Sequence, residues 1–197
     1  MTFTSIRIIL AALCLVGAFT CVFADWRGWQ AIRIVSKIAA SSAFVALAAF
    51  NGALASNYGR MILVALVLSW IGDVMLLSLR SSLLLGGIGA FLLAHIAFAA
   101  AFVLLPIDDL RLLIGLLFMT AVAGILIRWL WPHLESLYKF AVPAYLAAIV
   151  MMTSLAIGAS SGDSMWLLAI GAVTFAASDV SVARDRFLLR SITNKAW

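Results

Sequence analysis

The chain has 197 residues, of which 66% are hydrophobic and only 11% charged, with a formal net charge of +5. A water-soluble domain would carry roughly 25% charged residues, so too little polar surface remains to coat a globule and lipid must solvate most of it. The thirteen Lys and Arg residues stand in short clusters between apolar runs and form no continuous basic stripe, which excludes nucleic acid as the expected partner and points to membrane orientation.

A window of about 20 apolar residues crosses the hydrocarbon core of a bilayer. Seven such windows follow one another, at 5–24, 31–50, 60–79, 83–105, 110–130, 138–158 and 164–183. All are expected to be helices, because backbone in lipid must satisfy its own hydrogen bonds and no ten-residue alternation recurs that would build a barrel. The predicted class is therefore an all-α, polytopic transmembrane helix bundle forming one domain over 1–197. Short connections such as Arg80-Ser81-Ser82 and Pro106-Ile107-Asp108-Asp109 make consecutive helices antiparallel neighbours.

In the first window, residues 1–24 end in Val22-Phe23-Ala24, which could pass for a signal-peptidase site. More cations follow this run than precede it, however, which favours a retained first span. Cys14 and Cys21 lie within it, too far apart on one helix for a disulfide. In the fourth window, Gly86, Ala90 and Ala94 recur every four residues and let that helix approach a neighbour closely. Arg80, Trp129, Trp131 and His133, at helix ends, are expected to anchor the interface.

Orientation follows from the cations. Arg7, Arg60 and Arg111 fall on the side of the N-terminus, whereas Arg27, Arg33, Lys37, Arg80, Arg128, Lys139, Arg184, Arg186, Arg190 and Lys195 fall on the other. This asymmetry predicts the N-terminus outside and the C-terminus in the cytoplasm. Short loops and the bare hydrophobic bundle suit a bacterial inner membrane.

The informative residues are those that a bilayer makes expensive. Asp73 and Asp179 lie inside apolar helices, where an ionised Asp at the centre costs roughly 2.5 to 3.5 kcal/mol on insertion scales. His95, Lys37 and Tyr145 add an imidazole, a cation and a phenol within the fourth, second and sixth spans. At about 1.5 Å per residue, Asp179 falls roughly 6 Å from its cytoplasmic helix end, Lys37 and Asp73 roughly 9 Å, Tyr145 roughly 10 Å and His95 roughly 18 Å. Five costly residues in the inner half of the membrane suit one polar cavity opening toward the cytoplasmic leaflet. Each also has a plainer reading: Lys37 can snorkel, Tyr145 can sit in an aromatic belt, and His95 can bridge helices. The two carboxylates are hardest to explain structurally, because a buried charge needs a compensating partner.

These residues resemble the lysoplasmalogenase (YhhN-like) family. The resemblance rests on Gly72-Asp73 in the third helix, Phe91 to His95 with Phe98 and Phe102 in the fourth, and Pro143-Ala144-Tyr145 in the sixth. In the seventh it rests on Gly171-Ala172-Val173-Thr174-Phe175-Ala176-Ala177-Ser178-Asp179, with Arg186-Phe187 following. The chain departs from the family in having Lys37-Ile38 where Lys-Pro is usual, and in stopping at Thr193-Asn194-Lys195-Ala196-Trp197 where an eighth apolar helix is expected.

The resemblance implies cleavage of the vinyl-ether bond of a lysoplasmalogen to a fatty aldehyde and a glycerophospho-alcohol, with no obligatory cofactor; no residue is assigned as a metal ligand. The partners expected are a lysophospholipid substrate and the bilayer; the oligomeric state stays open. Such chemistry wants one protonated carboxyl group and one ionised carboxylate, the division of labour of glycosidases. Asp73 and Asp179 are the candidates, with His95 orienting water or relaying protons. Tyr145 is expected to donate to substrate oxygen, and Lys37 with Arg184 or Arg186 to hold the phosphate. Two alternatives stand beside this: zinc held by Asp73, His95 and Asp179, and a small proton- or ion-coupled transporter using the same intramembrane residues.

Overall fold

The computed structural model describes residues 3–78, 80–160 and 166–189. Seven helices are long and apolar enough to cross a membrane: α1 (Phe3–Trp26), α2 (Gln30–Phe50), α3 (Asn57–Leu76), α4 (Ser81–Phe102), α5 (Asp109–Leu130), α6 (Tyr138–Gly158) and α7 (Trp166–Ala183). At about 1.5 Å per residue, each spans roughly 27 to 36 Å, the thickness of a hydrocarbon core. Large apolar side chains such as Phe19 and Phe140 lie outermost, with more than three quarters of their surface exposed. Only lipid makes that arrangement favourable, and the chain is an integral membrane protein of all-α class.

The helix limits follow local chemistry. Gly28 and Gly52, both with positive φ, turn the chain after α1 and α2. Ser56 caps α3 by accepting from the Gly59 amide at 3.0 Å, and Asp108 caps α5 by accepting from the Arg111 amide at 2.9 Å. Two ends fall short of the expected ones. α3 stops at Leu76 instead of 79, and α4 stops at Phe102 instead of 105, because Pro106 disfavours helical backbone just before it. After Ala183 the chain continues as a wider π-helical turn, Arg184–Leu189, which hydropathy alone does not foresee. The expected start of the seventh span at 164, residues 161–163 of the preceding connection, and the chain end from Arg190 to Trp197 lie outside the described residues.

The helices group into two compact units, one reaching Ala101 and the other beginning at Phe102. Within the first, small residues set the spacing. A Cβ on Gly17 would come within 2.9 Å of the Ala40 methyl group, so α1 and α2 meet almost backbone to backbone. α2 and α3 are antiparallel, with the Trp70 indole donating to Ser42 Oγ at 3.0 Å. α3 and α4 interlock through glycines: Gly72 receives the Phe91 ring, Gly86 the Met75 methyl group, and Gly87 the Leu76 side chain.

The second unit is built on α6, the most buried of the seven spans. Met119, Leu130, Leu134, Val142, Leu146, Ile149 and Ala176 form its core. Gly115 of α5 lets that helix press against the Ser154 backbone, and the Asp108 amide donates to the Gly158 carbonyl at 3.0 Å. Ala172, Ala176, Asp179 and Ala183 recur at helical spacing on α7, where Ala176 and Ala183 pack on the core. Their small side chains admit α6 closely.

Candidate active site

In the first unit, Lys37 Nζ lies 2.9 Å from Asp73 Oδ1, and roughly a quarter to a third of each side chain remains exposed. The helix geometry explains the meeting. Ser36 of α2 is buried, as is Gly72 of α3, and the next residue on each helix, Lys37 and Asp73, turns onto the groove that the two helices share. Because α3 ends at Leu76, Asp73 sits about one helical turn from that end, nearer to it than the sequence implies. An expensive acid and an expensive base have thus become each other's partner. The Lys37 ammonium still offers further donors, since it carries three.

His95 is fully buried on α4, one turn beyond Phe91, whose ring covers Gly72 beside Asp73. Its Nδ1 lies 2.6 Å from the Phe91 carbonyl oxygen. A carbonyl only accepts, so Nδ1 must carry the proton. In the neutral imidazole this leaves Nε2 as an acceptor. The Phe91 carbonyl is a feature of the site that motif reading missed; the four-residue interval from Phe91 to His95 is the signal for it.

In the second unit, Asp179 is half-buried on α7 and hydrogen bonds with Tyr145 of α6. Val142, Leu146 and Ile149 of α6 are buried in the core, so the phenol on the neighbouring strip of that helix meets α7 at its alanine face. Pro143, two residues before Tyr145, lacks the amide that would bond the Lys139 carbonyl and loosens α6 just there. Ser178 is exposed and does not share the Asp179 surface.

Arg184 and Arg186 follow on the π-helical turn, the first exposed and the second half-buried. Phe187 in the same turn meets Tyr138 of α6 edge-on, with ring centroids 5.0 Å apart, and so fixes the turn against the start of α6. The structure therefore collects the expected residues as Lys37, Asp73 and His95 in the first unit, and as Tyr145, Asp179, Arg184 and Arg186 in the second. Among the described residues of either unit, no three His, Cys, Asp or Glu side chains gather as metal ligands.

The chain is 36% identical over 138 residues to lysoplasmalogenases of Mycobacterium bovis and Mycobacterium tuberculosis, covering 66% of this chain and 51% of theirs. It is 32% identical over 132 residues to the lysoplasmalogenase TMEM86A of Bos taurus, covering 64% of this chain and 53% of that one. The chain thus spans about half the length of the curated relatives it matches. No solved structure matches it. The YhhN family model matches residues 32–197, which takes in both carboxylates, their partners and His95, and the chain belongs to the YhhN family.

Proposed function

We propose that the chain hydrolyses the vinyl-ether bond of a lysoplasmalogen, consuming one water and releasing a fatty aldehyde and a glycerophospho-alcohol. The observation that carries this reading is the chemistry of the two intramembrane acids: Asp73 paired with an ammonium group, and Asp179 hydrogen bonded to a phenol. The names of the lysoplasmalogenases it resembles support the substrate class.

Cleavage begins with a proton delivered to the alkenyl carbon remote from oxygen, which leaves positive charge shared between the adjacent carbon and the ether oxygen. Water adds to that carbon, loses a proton, and the resulting hemiacetal collapses into aldehyde and alcohol. The ion pair with Lys37 suits Asp73 to the ionised role, stabilising the oxocarbenium charge. Asp179 is then the acid; the single Tyr145 hydroxyl proton orients its carboxyl group before substrate enters and turns to substrate oxygen once the lipid is bound. His95, through Nε2, accepts the proton that water gives up. Lys37, Arg184 and Arg186 hold the phosphate, and the alkenyl chain lies among apolar helices. The same reading places the N-terminus outside, the C-terminus in the cytoplasm, and the site toward the cytoplasmic leaflet of a bacterial inner membrane.

Purified full chain in lipid is assayed for aldehyde release, coupled to alcohol dehydrogenase. Wild type releases aldehyde, and Asp73→Asn and Asp179→Asn release it about 10²- to 10⁴-fold more slowly; full activity in both variants removes the two-carboxylate mechanism. No aldehyde from wild type removes the lysoplasmalogen reading itself.

A further inference from the structure

The turn between α1 and α2 carries a charge arrangement that the proposed chemistry does not use. Its residues precede the segment that the family model matches. The Arg27 guanidinium lies over three rings at once, 5.3 Å from Phe23, 5.4 Å from Trp26 and 5.9 Å from Trp29. Those rings also hold one another, Phe23 meeting Trp26 and Trp29 with centroids 5.9 Å apart in each case. The backbone beneath is closed: the Trp29 amide donates to the carbonyl of fully buried Ala24 at 2.8 Å, the Arg27 amide donates to Phe23 at 3.0 Å, and Gly28 takes the positive φ that the turn needs.

The acid on this turn is already engaged. Asp25 binds Arg33 at 3.1 Å, which leaves Arg27 with aromatic faces and, among the described residues, no carboxylate or carbonyl accepting from its side chain. Its planar fork of N–H donors matches the oxygens of a phosphodiester, and the ring stacking holds that fork before any ligand arrives. The turn joins two membrane-length helices and so lies at a membrane face, with Trp26 more than three quarters exposed and Trp29 about half. Indole rings at that level reach the glycerol region of lipids.

We propose that the α1–α2 turn binds the phosphodiester headgroup of an anionic phospholipid, with Arg27 as the anion-binding group and Phe23, Trp26 and Trp29 as its cradle. Phosphatidylcholine is disfavoured for a physical reason. An aromatic cage takes a quaternary ammonium group by cation–π attraction, but here Arg27 already occupies the ring faces and repels a second cation. An anionic lipid such as phosphatidylglycerol meets no such repulsion.

The test is native mass spectrometry of the full chain, delipidated and offered equal amounts of phosphatidylglycerol and phosphatidylcholine. Wild type retains phosphatidylglycerol with a preference of about fivefold, the effect of one interfacial cation. Arg27→Gln brings that ratio close to one, whereas Arg7→Gln, which removes an exposed guanidinium bonded to the Phe50 carbonyl, leaves it unchanged. If Arg27→Gln does not fold, Arg27→Lys carries the test, since it keeps the charge but loses the stacked fork; a clearly reduced preference is expected and an undiminished one overturns the proposal. It is also overturned by absence of preference in wild type, by an equal loss in Arg7→Gln, or by displacement of the lipid with millimolar inorganic phosphate.

Discussion

Asp73 and Asp179 stand on helices of similar composition, yet Asp73 pairs with an ammonium group at 2.9 Å and Asp179 bonds a phenol. An ammonium partner meets its carboxylate with a full opposite charge, whereas a phenol offers a single neutral hydrogen bond. The difference teaches that a membrane acid takes its character from its neighbour on the next helix, and less from the residues beside it in sequence.

The sharpest way to break this comparison is to neutralise each acid in turn. Asp73→Asn and Asp179→Asn should each lower aldehyde release by about 10²- to 10⁴-fold, the usual worth of a positioned acid or base. Unequal outcomes, with one variant nearly active, would leave only a single acid in the chemistry. Next come the partners. Lys37→Met should lower turnover about ten- to a hundredfold, as loss of a charge-assisted hydrogen bond does, and Tyr145→Phe only about fivefold, as loss of a neutral one does. Equal losses would erase the distinction between the two sites.

The smallest effects concern stability. Gly72→Ala would place a methyl group within 2.6 Å of the Phe91 ring. It should destabilise the first unit by about 1 to 3 kcal/mol, visible as a lower melting temperature in detergent. Gly171→Ala, whose Cβ would meet open space, should change stability by less than about 0.5 kcal/mol.

The seven spans were legible because length and hydropathy are properties of each segment alone. Their ends were less so: the arrest of α4 is written in Pro106, but neither the early stop of α3 nor the π-helical turn at Arg184–Leu189 leaves a mark in hydropathy. Sequence also gave Lys37 and Asp73 equal depth, which a pair requires. It could not give the pairing, because lateral neighbours depend on which faces of α2 and α3 meet, and that is set by close contacts such as Ser42 with Trp70. Likewise the tautomer of His95 became readable only once its Nδ1 had a carbonyl in reach.

The link between Lys37 and Asp73 also bears on how the chain enters the bilayer during synthesis. Each residue alone opposes partition of its segment, Asp73 by less than the roughly 2.5 to 3.5 kcal/mol that a charge costs at a helix centre because it lies near the end of α3, and each is relieved by the company of the other. Helices α2 and α3 therefore gain from leaving the translocon together as a hairpin, so that a break in the bridge should show as slower or incomplete integration of both segments before any loss of turnover is measured.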